Sequence, residues 1–392
     1  MGSKTHCTLF SIVILLALVT GCSGYRHRSI RNSRRRIHNF GGHVAIANRN
    51  AGTISLVNPR TLETAASFTL PDNGEPMYFA YDIFRSFLWV GDRANSRIVV
   101  MKLRGNRIKL LPPGKKRFLP LAEGTFHTMP TQVNVDGSDS VESMRRPITC
   151  TTNDIDDVTI IHDVRSRKKL ATIPLPEDIK RLGGKPHDTT NNGRYGVVTY
   201  IENSDGNGYV ATYECGFPNC LKRRRGWRLV KLLKTAQDPH VAVRDDTNMV
   251  IAAQGGEVLF VTLPDMRVLS RDEQPSPHGV IISYNSKYLY VTNIAGMGKD
   301  AIVTYDMQAG KRADCDIVDT TNPTPHNPAV SLDGKRLFIT HSGPESSVNS
   351  AFDIDQNGCP IAGSEKVFTT GLNPFGLTVI PEPRSRRGRS RW

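Results

Sequence analysis

At 392 residues, with 38% hydrophobic and 22% charged positions, 33 Gly and 24 Pro, the chain is neither a mini-protein nor wholly disordered nor collagen-like. Its net charge of +14 is unevenly placed: residues 25–36 hold six Arg and residues 384–392 five, and with Lys4 these leave only +2 for residues 37–383. A nearly neutral body with two basic tails argues against a specific nucleic-acid surface; tails of this kind attract polyanions through charge alone.

The chain opens with Lys4 and an apolar run from Thr8 to Val19, closed by the small residues Thr20 to Gly24. This is the layout of a secretory signal peptide over residues 1–24, too short to span a membrane with ease, so the mature chain is expected to have no transmembrane span and to be extracellular. If the source is bacterial, Val19-Thr20-Gly21-Cys22 reads as a lipidation site anchoring the chain through Cys22. Residues 25–36 follow as a basic segment, disordered or removed by processing at Arg34, Arg35 and Arg36.

From residue 37 to 383 the pattern is period-2 and β-branched, broken by Asn-Gly and Asp-Gly turns, with no long helical periodicity. A unit recurs. Pro277-His278-Gly279 leads into alternating apolar residues, a turn at Asn285-Ser286 and the run Tyr288-Leu289-Tyr290-Val291-Thr292-Asn293; Pro325-His326 opens the same sequence of features, ending in Leu337 to His341. Earlier copies begin at Pro186-His187 and Pro239-His240, weaker ones at Pro76 and Pro130, and a truncated one at Pro374. The seven starts are 54, 56, 53, 38, 48 and 49 residues apart, the length of a four-stranded antiparallel sheet with its turns. The last unit lacks room for four strands, and residues 43–75 supply the missing three. The expected fold is therefore all-β: one domain over residues 37–383, a seven-bladed β-propeller closed by pairing the C-terminal inner strand with the N-terminal strands, which removes open sheet edges.

These repeats resemble the YVTN-type and lactonase-like β-propellers, Tyr290-Val291-Thr292-Asn293 spelling the motif of the former. The resemblance implies a central channel. It implies no single function, since such propellers include scaffolds, lactone-processing enzymes and metal or cofactor proteins.

The chemistry-bearing feature is the Pro-His dipeptide. His187, His240, His278 and His326 stand at four consecutive blade starts, so their side chains should border one mouth of the channel, and His127 extends the arc. Neutral imidazoles that converge hold zinc or copper, whereas the same residue after a proline also serves packing by bonding loop carbonyls. Asp188 is placed either to orient an imidazole or to cap the loop. Asp353-Ile354-Asp355-Gln356-Asn357-Gly358 begins like a calcium loop but has Ser364 where the twelfth ligand is needed, and reads better as a turn. Asp154, Asp156 and Asp157 form a second acidic turn.

Lys222, Arg223, Arg224 and Arg225, followed by Trp227, combine charge with an aromatic platform and, with Arg34, Arg35, Arg36, Arg386 and Arg387 of the tails, are the candidate polyanion contacts. The remainder, residues 384–392, is a basic tail. Of seven cysteines, Cys215 and Cys220 are spaced for a local disulfide and Cys315 with Cys359 for a second, which leaves Cys150 free, buried or paired with Cys22.

Two functions follow. One is a secreted, monomeric, matrix-associated propeller binding acidic polysaccharide or acidic matrix protein. The other is a metal-dependent lactonase- or oxidase-like enzyme with a zinc or copper ion at the histidine-lined mouth, and the sequence leaves open whether the chain is an enzyme.

Overall fold

The computed structural model describes residues 42–82, 86–130, 147–215, 226–245, 247–294 and 300–381. They form seven antiparallel sheets, with one short helix at Glu177–Arg181. Numbered by their innermost strands, the blades begin with Pro76–Asp82, Thr125–Pro130, Lys185–Asn191, Pro239–Val243, Pro277–Ile282, Pro325–Val330 and Pro374–Ile380. Each inner strand touches the next, and the seventh touches the first, so the ring is closed. The seventh blade joins the two ends of the chain: Pro374–Ile380 pairs with His43–Asn48, followed outward by Thr53–Val57 and Thr64–Thr69.

Stacked blades bury both faces of their middle strands, and the alternation of side chains assigns each face to a different neighbour. In His43–Asn48, Val44 and Ile46 pack with Phe338 and Ala351 of the sixth blade, whereas Ala45 and Ala47 pack with Phe79, Leu88 and Val90 of the first. This explains why the middle strands read as continuous apolar runs. The outermost strands keep one face wet: Val268–Glu273 alternates between exposed and partly buried positions.

Six of the seven inner strands carry the same β-bulge two residues after their start, where two residues stand opposite one of the neighbouring strand. A bulge inserts a residue and re-aims side chains, and here it does so at one end of the channel. The threonine of the YVTN-like run clamps it. Thr292 Oγ1 accepts from Gly279 N at 2.9 Å and donates to His326 O of the next blade at 2.9 Å. Thr340 does the same between Asn327 N, 3.3 Å, and Phe375 O, 2.8 Å, and Thr152 between His127 N, 3.1 Å, and His187 O, 2.6 Å. At the second bulge position of the fifth and seventh blades only glycine fits. A Cβ on Gly279 would lie 2.0 Å from His326 O, and one on Gly376 2.3 Å from Met77 O.

The register corrects one blade start. The second blade begins at Thr125, not Pro130: Thr125 pairs with Asn153 as Pro186 pairs with Tyr200, and Pro130 is the strand's last residue. His127 therefore occupies the second bulge position, the place of Asp188 and Asn327, rather than lying ahead of its blade.

Cys315 and Cys359 are disulfide-bonded as expected, with Cα atoms 5.5 Å apart, tying the fifth blade to the sixth. Cys215 is disulfide-bonded, and Cys220 lies outside the described residues. Cys150 is a free, buried thiol that burial pushes up to about 12, so it packs as a small apolar side chain. Among the described residues no helix is long and apolar enough to cross a membrane.

Candidate functional site

One mouth of the channel is ringed by the residues at the bulges and, in the fourth blade, whose register is continuous, by the residue after its first proline. From the first blade comes Tyr78, from the second Phe126 and His127, from the third His187 and Asp188, then His240, His278, His326 and, from the seventh, Phe375. Adjacent rings are in contact: His127–His187, His187–His240, His240–His278 and His278–His326 have centroids 5.0, 5.1, 3.9 and 4.4 Å apart. Tyr78 stacks on His127 at 3.8 Å, and Phe375 closes the circle against His326 at 4.6 Å and Tyr78 at 5.3 Å. All five histidines expected at the mouth are thus there.

The imidazoles fall into groups that differ in chemistry. His127, His187 and His240 each offer a ligand atom, all within 4.8 Å of one another; Asp238, His240 and His278 form a second such group sharing His240. Nε2 of His127, His187 and His240 and Oδ1 of Asp238 are buried without a hydrogen-bond partner. Buried polar atoms without partners are costly, and a cluster of them aimed at one place calls for a further group. Asp238 Oδ1 lies 3.3 Å from His187 Nε2 and 3.6 Å from His240 Nε2. Zinc bonds of about 2.0–2.1 Å put neighbouring donors of a tetrahedral set about 3.4 Å apart, so these spacings suit ligands of one ion better than hydrogen bonds to each other.

Asp188 holds the opposite nitrogens. Its Oδ1 is 2.7 Å from His127 Nδ1 and its Oδ2 3.6 Å from His240 Nδ1, and the backbone N–H groups of Thr189 and Val241 donate to it at 2.7 and 2.9 Å. Burial pushes this carboxyl up, but His127 and His240 beside it outweigh burial and hold it well below the usual carboxylate range. A carboxylate on Nδ1 fixes ring orientation and leaves Nε2 as the ligand atom, the arrangement that supports metal-bound histidines.

Burial keeps most of the rings neutral. It pulls His187 down to about 3 against the charge of Asp238, and holds His278 and His326 well below their ordinary value with the help of the neighbouring imidazoles. His127 is lowered by burial despite Asp188. His240 goes the other way: burial opposes its charge, yet Asp188 and Asp238 on either side raise it. A buried carboxylate held ionised between His127 and His240 favours positive charge at this mouth, whether a proton on His240 or a metal ion.

Beside the nitrogens stands an aromatic wall of Tyr78, Phe126 and Phe375. Arg49 and Arg93 lie over Phe375 and Phe126, each guanidinium 5.4 Å from the ring centre, and both are ion-paired, Arg49 with Glu75 and Arg93 with both oxygens of Asp154 at 3.0 and 3.1 Å.

Other candidates from the sequence turn out to be structural. The calcium-like loop is a turn: Asp355 Oδ1 accepts from the N–H of Asn357 and of Cys359, both at 2.8 Å, and Asp353 is taken by Arg336 at 2.6 Å. Asp154, Asp156 and Asp157 are bound to Arg93, the Glu123 N–H and Lys185 respectively. Trp227 is no exposed platform, since it packs on the core between the second and third blades. Lys222, Arg223, Arg224, Arg225, Arg34, Arg35, Arg36, Arg386 and Arg387 lie outside the described residues, as do residues 1–24.

Asp238, Tyr78, Phe126, Phe375 and Asn327 were not singled out from the sequence. Asp238 had the strongest available signal, standing directly before Pro239-His240, but aspartate before proline is also an ordinary turn residue.

No family model and no curated protein matches the chain. Among solved structures, it is similar to the Pseudomonas aeruginosa periplasmic gluconolactonase, with 13% identity over 87% of this chain and 99% of that one and a TM-score of 0.65. A Bacteroides fragilis chain provisionally assigned as a 6-phosphogluconolactonase shows 14% identity over 87% and 98%, with a TM-score of 0.62. Dihydro-heme d1 dehydrogenase NirN aligns at 12% identity over 84% of this chain and 64% of its own, with a TM-score of 0.51. At such identities the likeness is one of fold. The chain is a seven-bladed propeller whose structural neighbours include lactonases, and membership of the YVTN family is not shown.

Proposed function

We propose that this protein is a metal-dependent hydrolase that opens a cyclic ester at the histidine-lined mouth. The observation that carries the reading is the convergence of His127, His187 and His240, with Asp238 beside them, on one buried place where their polar atoms have no other partner. The lactonases among the structural neighbours support the choice of ester over other substrates.

His127, His187 and His240 would hold the ion, with Asp238 and His278, which group with His240, adjoining. A divalent ion in such a set lowers the pKa of bound water toward neutrality and so supplies hydroxide at ordinary pH. Asp188 keeps His127 and His240 in the liganding orientation. The wall of Tyr78, Phe126 and Phe375 takes the apolar face of the substrate and brings its acyl carbon to the nitrogens' side of the mouth. In the reaction the water oxygen bonds to the acyl carbon, the ring C–O bond breaks, and the water's proton ends on the released alkoxide, giving a hydroxy acid.

The reading is tested by following acid release from an uncharged δ-lactone in a pH-stat, before and after chelation and with zinc or copper restored. Turnover that vanishes with the metal and returns with it is expected, together with metal affinity about 10–100-fold weaker in Asp188→Asn. Hydrolysis indifferent to the metal, or none by the metal-loaded protein, would reject it. The matrix-binding alternative rests on the basic tails and the Lys222–Arg225 loop, and no feature of the described residues favours it.

A further inference from the structure

One ring of the arc differs in kind from the rest. Asn327 Nδ2 donates to Phe375 O at 3.1 Å, which fixes that atom as the amide nitrogen rather than the oxygen. The same Nδ2 lies 2.5 Å from His326 Nδ1 and 3.1 Å from Tyr78 Oη. An amide nitrogen has no lone pair to offer, so this contact is a hydrogen bond only with His326 Nδ1 as acceptor, which requires that atom to carry no proton. The proton of the neutral ring is then on Nε2. No hydrogen bond to that atom is formed by the described residues, it is not among the buried unpartnered atoms as Nε2 of His127, His187 and His240 are, and the His326 residue is only partly buried. His326 also belongs to neither group of converging ligand atoms. A ring bearing its proton on the open nitrogen cannot ligate an ion through it; it can only donate.

We propose that His326 is the hydrogen-bond donor that polarises the substrate's acyl oxygen, its tautomer set by Asn327, and that it is not a metal ligand. The proposal rests on the hydrolytic reading above. The location of the ring suits this role, because His326 stands between the aromatic wall, touching Phe375 at 4.6 Å, and the nitrogen side, touching His278 at 4.4 Å. A substrate lying on the wall with its carbonyl toward the nitrogens would therefore lie against the His326 ring. Asn327 is in turn locked by the Phe375 carbonyl and buried, with 9% of its surface exposed, so the donor is oriented before substrate arrives.

The test combines His326→Phe with His326→Gln in the full chain. Phenylalanine already fills the equivalent first bulge position in the second and seventh blades, as Phe126 and Phe375, so the ring of side chains accepts it. Loss of one preorganised donor should lower kcat for the δ-lactone about 10²–10³-fold in His326→Phe with little change in KM, and His326→Gln, which keeps an N–H, should recover part of it. Bound zinc per chain should be unchanged in both. In wild-type protein labelled with 15N in its imidazoles, the two-bond correlations of His326 should show the Nε2–H tautomer. Loss of zinc in His326→Phe, undiminished kcat, or an Nδ1–H tautomer would each overturn the assignment. If the wild-type protein turns over no lactone, the hydrolytic reading fails, and zinc content and tautomer still decide whether His326 is donor or ligand.

Discussion

Replacing Thr292 with Val tests the clamp that sets the mouth's geometry. The hydroxyl is buried and spans two blades, accepting from Gly279 N and donating to His326 O, each at 2.9 Å. Valine has nearly the same shape, so no cavity opens, but an N–H and a C=O lose their partner in a place water does not reach. Each orphaned group costs about 1–3 kcal/mol, and allowing for partial relaxation the variant should be about 2–4 kcal/mol less stable. Serine at the same position keeps both bonds and gives up one methyl, worth about 1 kcal/mol. Urea unfolding of the three proteins, followed by tryptophan fluorescence, measures the difference. A Val variant within about 0.5 kcal/mol of wild type, or a Ser variant as weak as Val, would refute the role given to this hydroxyl.

Acid should weaken the metal-free protein well above the carboxylate range. His187 is pulled down to about 3, and His278 and His326 are well below their ordinary value. The unfolded chain takes protons on these rings as pH falls through about 6.5 and the folded chain does not, so each removes about 1.4 kcal/mol of stability per pH unit below that point. His240, shifted upward, is protonated in both states there and adds only a constant. Urea midpoints in chelator should therefore drop between pH 7 and pH 5; a flat profile would contradict the buried, neutral arc. For the tails, retention on heparin is expected to fall steeply with salt and to be lost on deleting residues 25–36 and 384–392. Retention unchanged by the deletions would remove the tails as the binding element.

Much of this architecture was legible because a repeated blade repeats its chemistry. Proline followed by histidine at four starts, and Val-Thr-Asn at the end of a second strand, are local requirements of the inner strand and its bulge, so periodicity exposed the fold, the closure of the ring and the arc of imidazoles together. The second blade was misplaced because Thr125 takes the position proline holds in the other six, and the nearest proline, Pro130, ends the strand instead of starting it. Asp238 escaped notice since its role depends on distances to three rings from different blades. The difference between His326 and the other imidazoles lies in which nitrogen Asn327 meets, and spacing carries no information about tautomers. Conversely, Asp353 and Asp355 matched a ligand pattern whose oxygens are consumed by Arg336 and by the turn's own N–H groups.

The proposed function stands or falls on whether His127, His187 and His240 hold a cation. Elemental analysis of the full chain after exhaustive dialysis, for wild type and for His187→Ala and His240→Ala, tests it most directly. A stoichiometric divalent metal, zinc or copper, is expected in the wild-type protein and its loss in both variants; wild-type protein that retains none after reconstitution, or variants that keep it, would rule the site out.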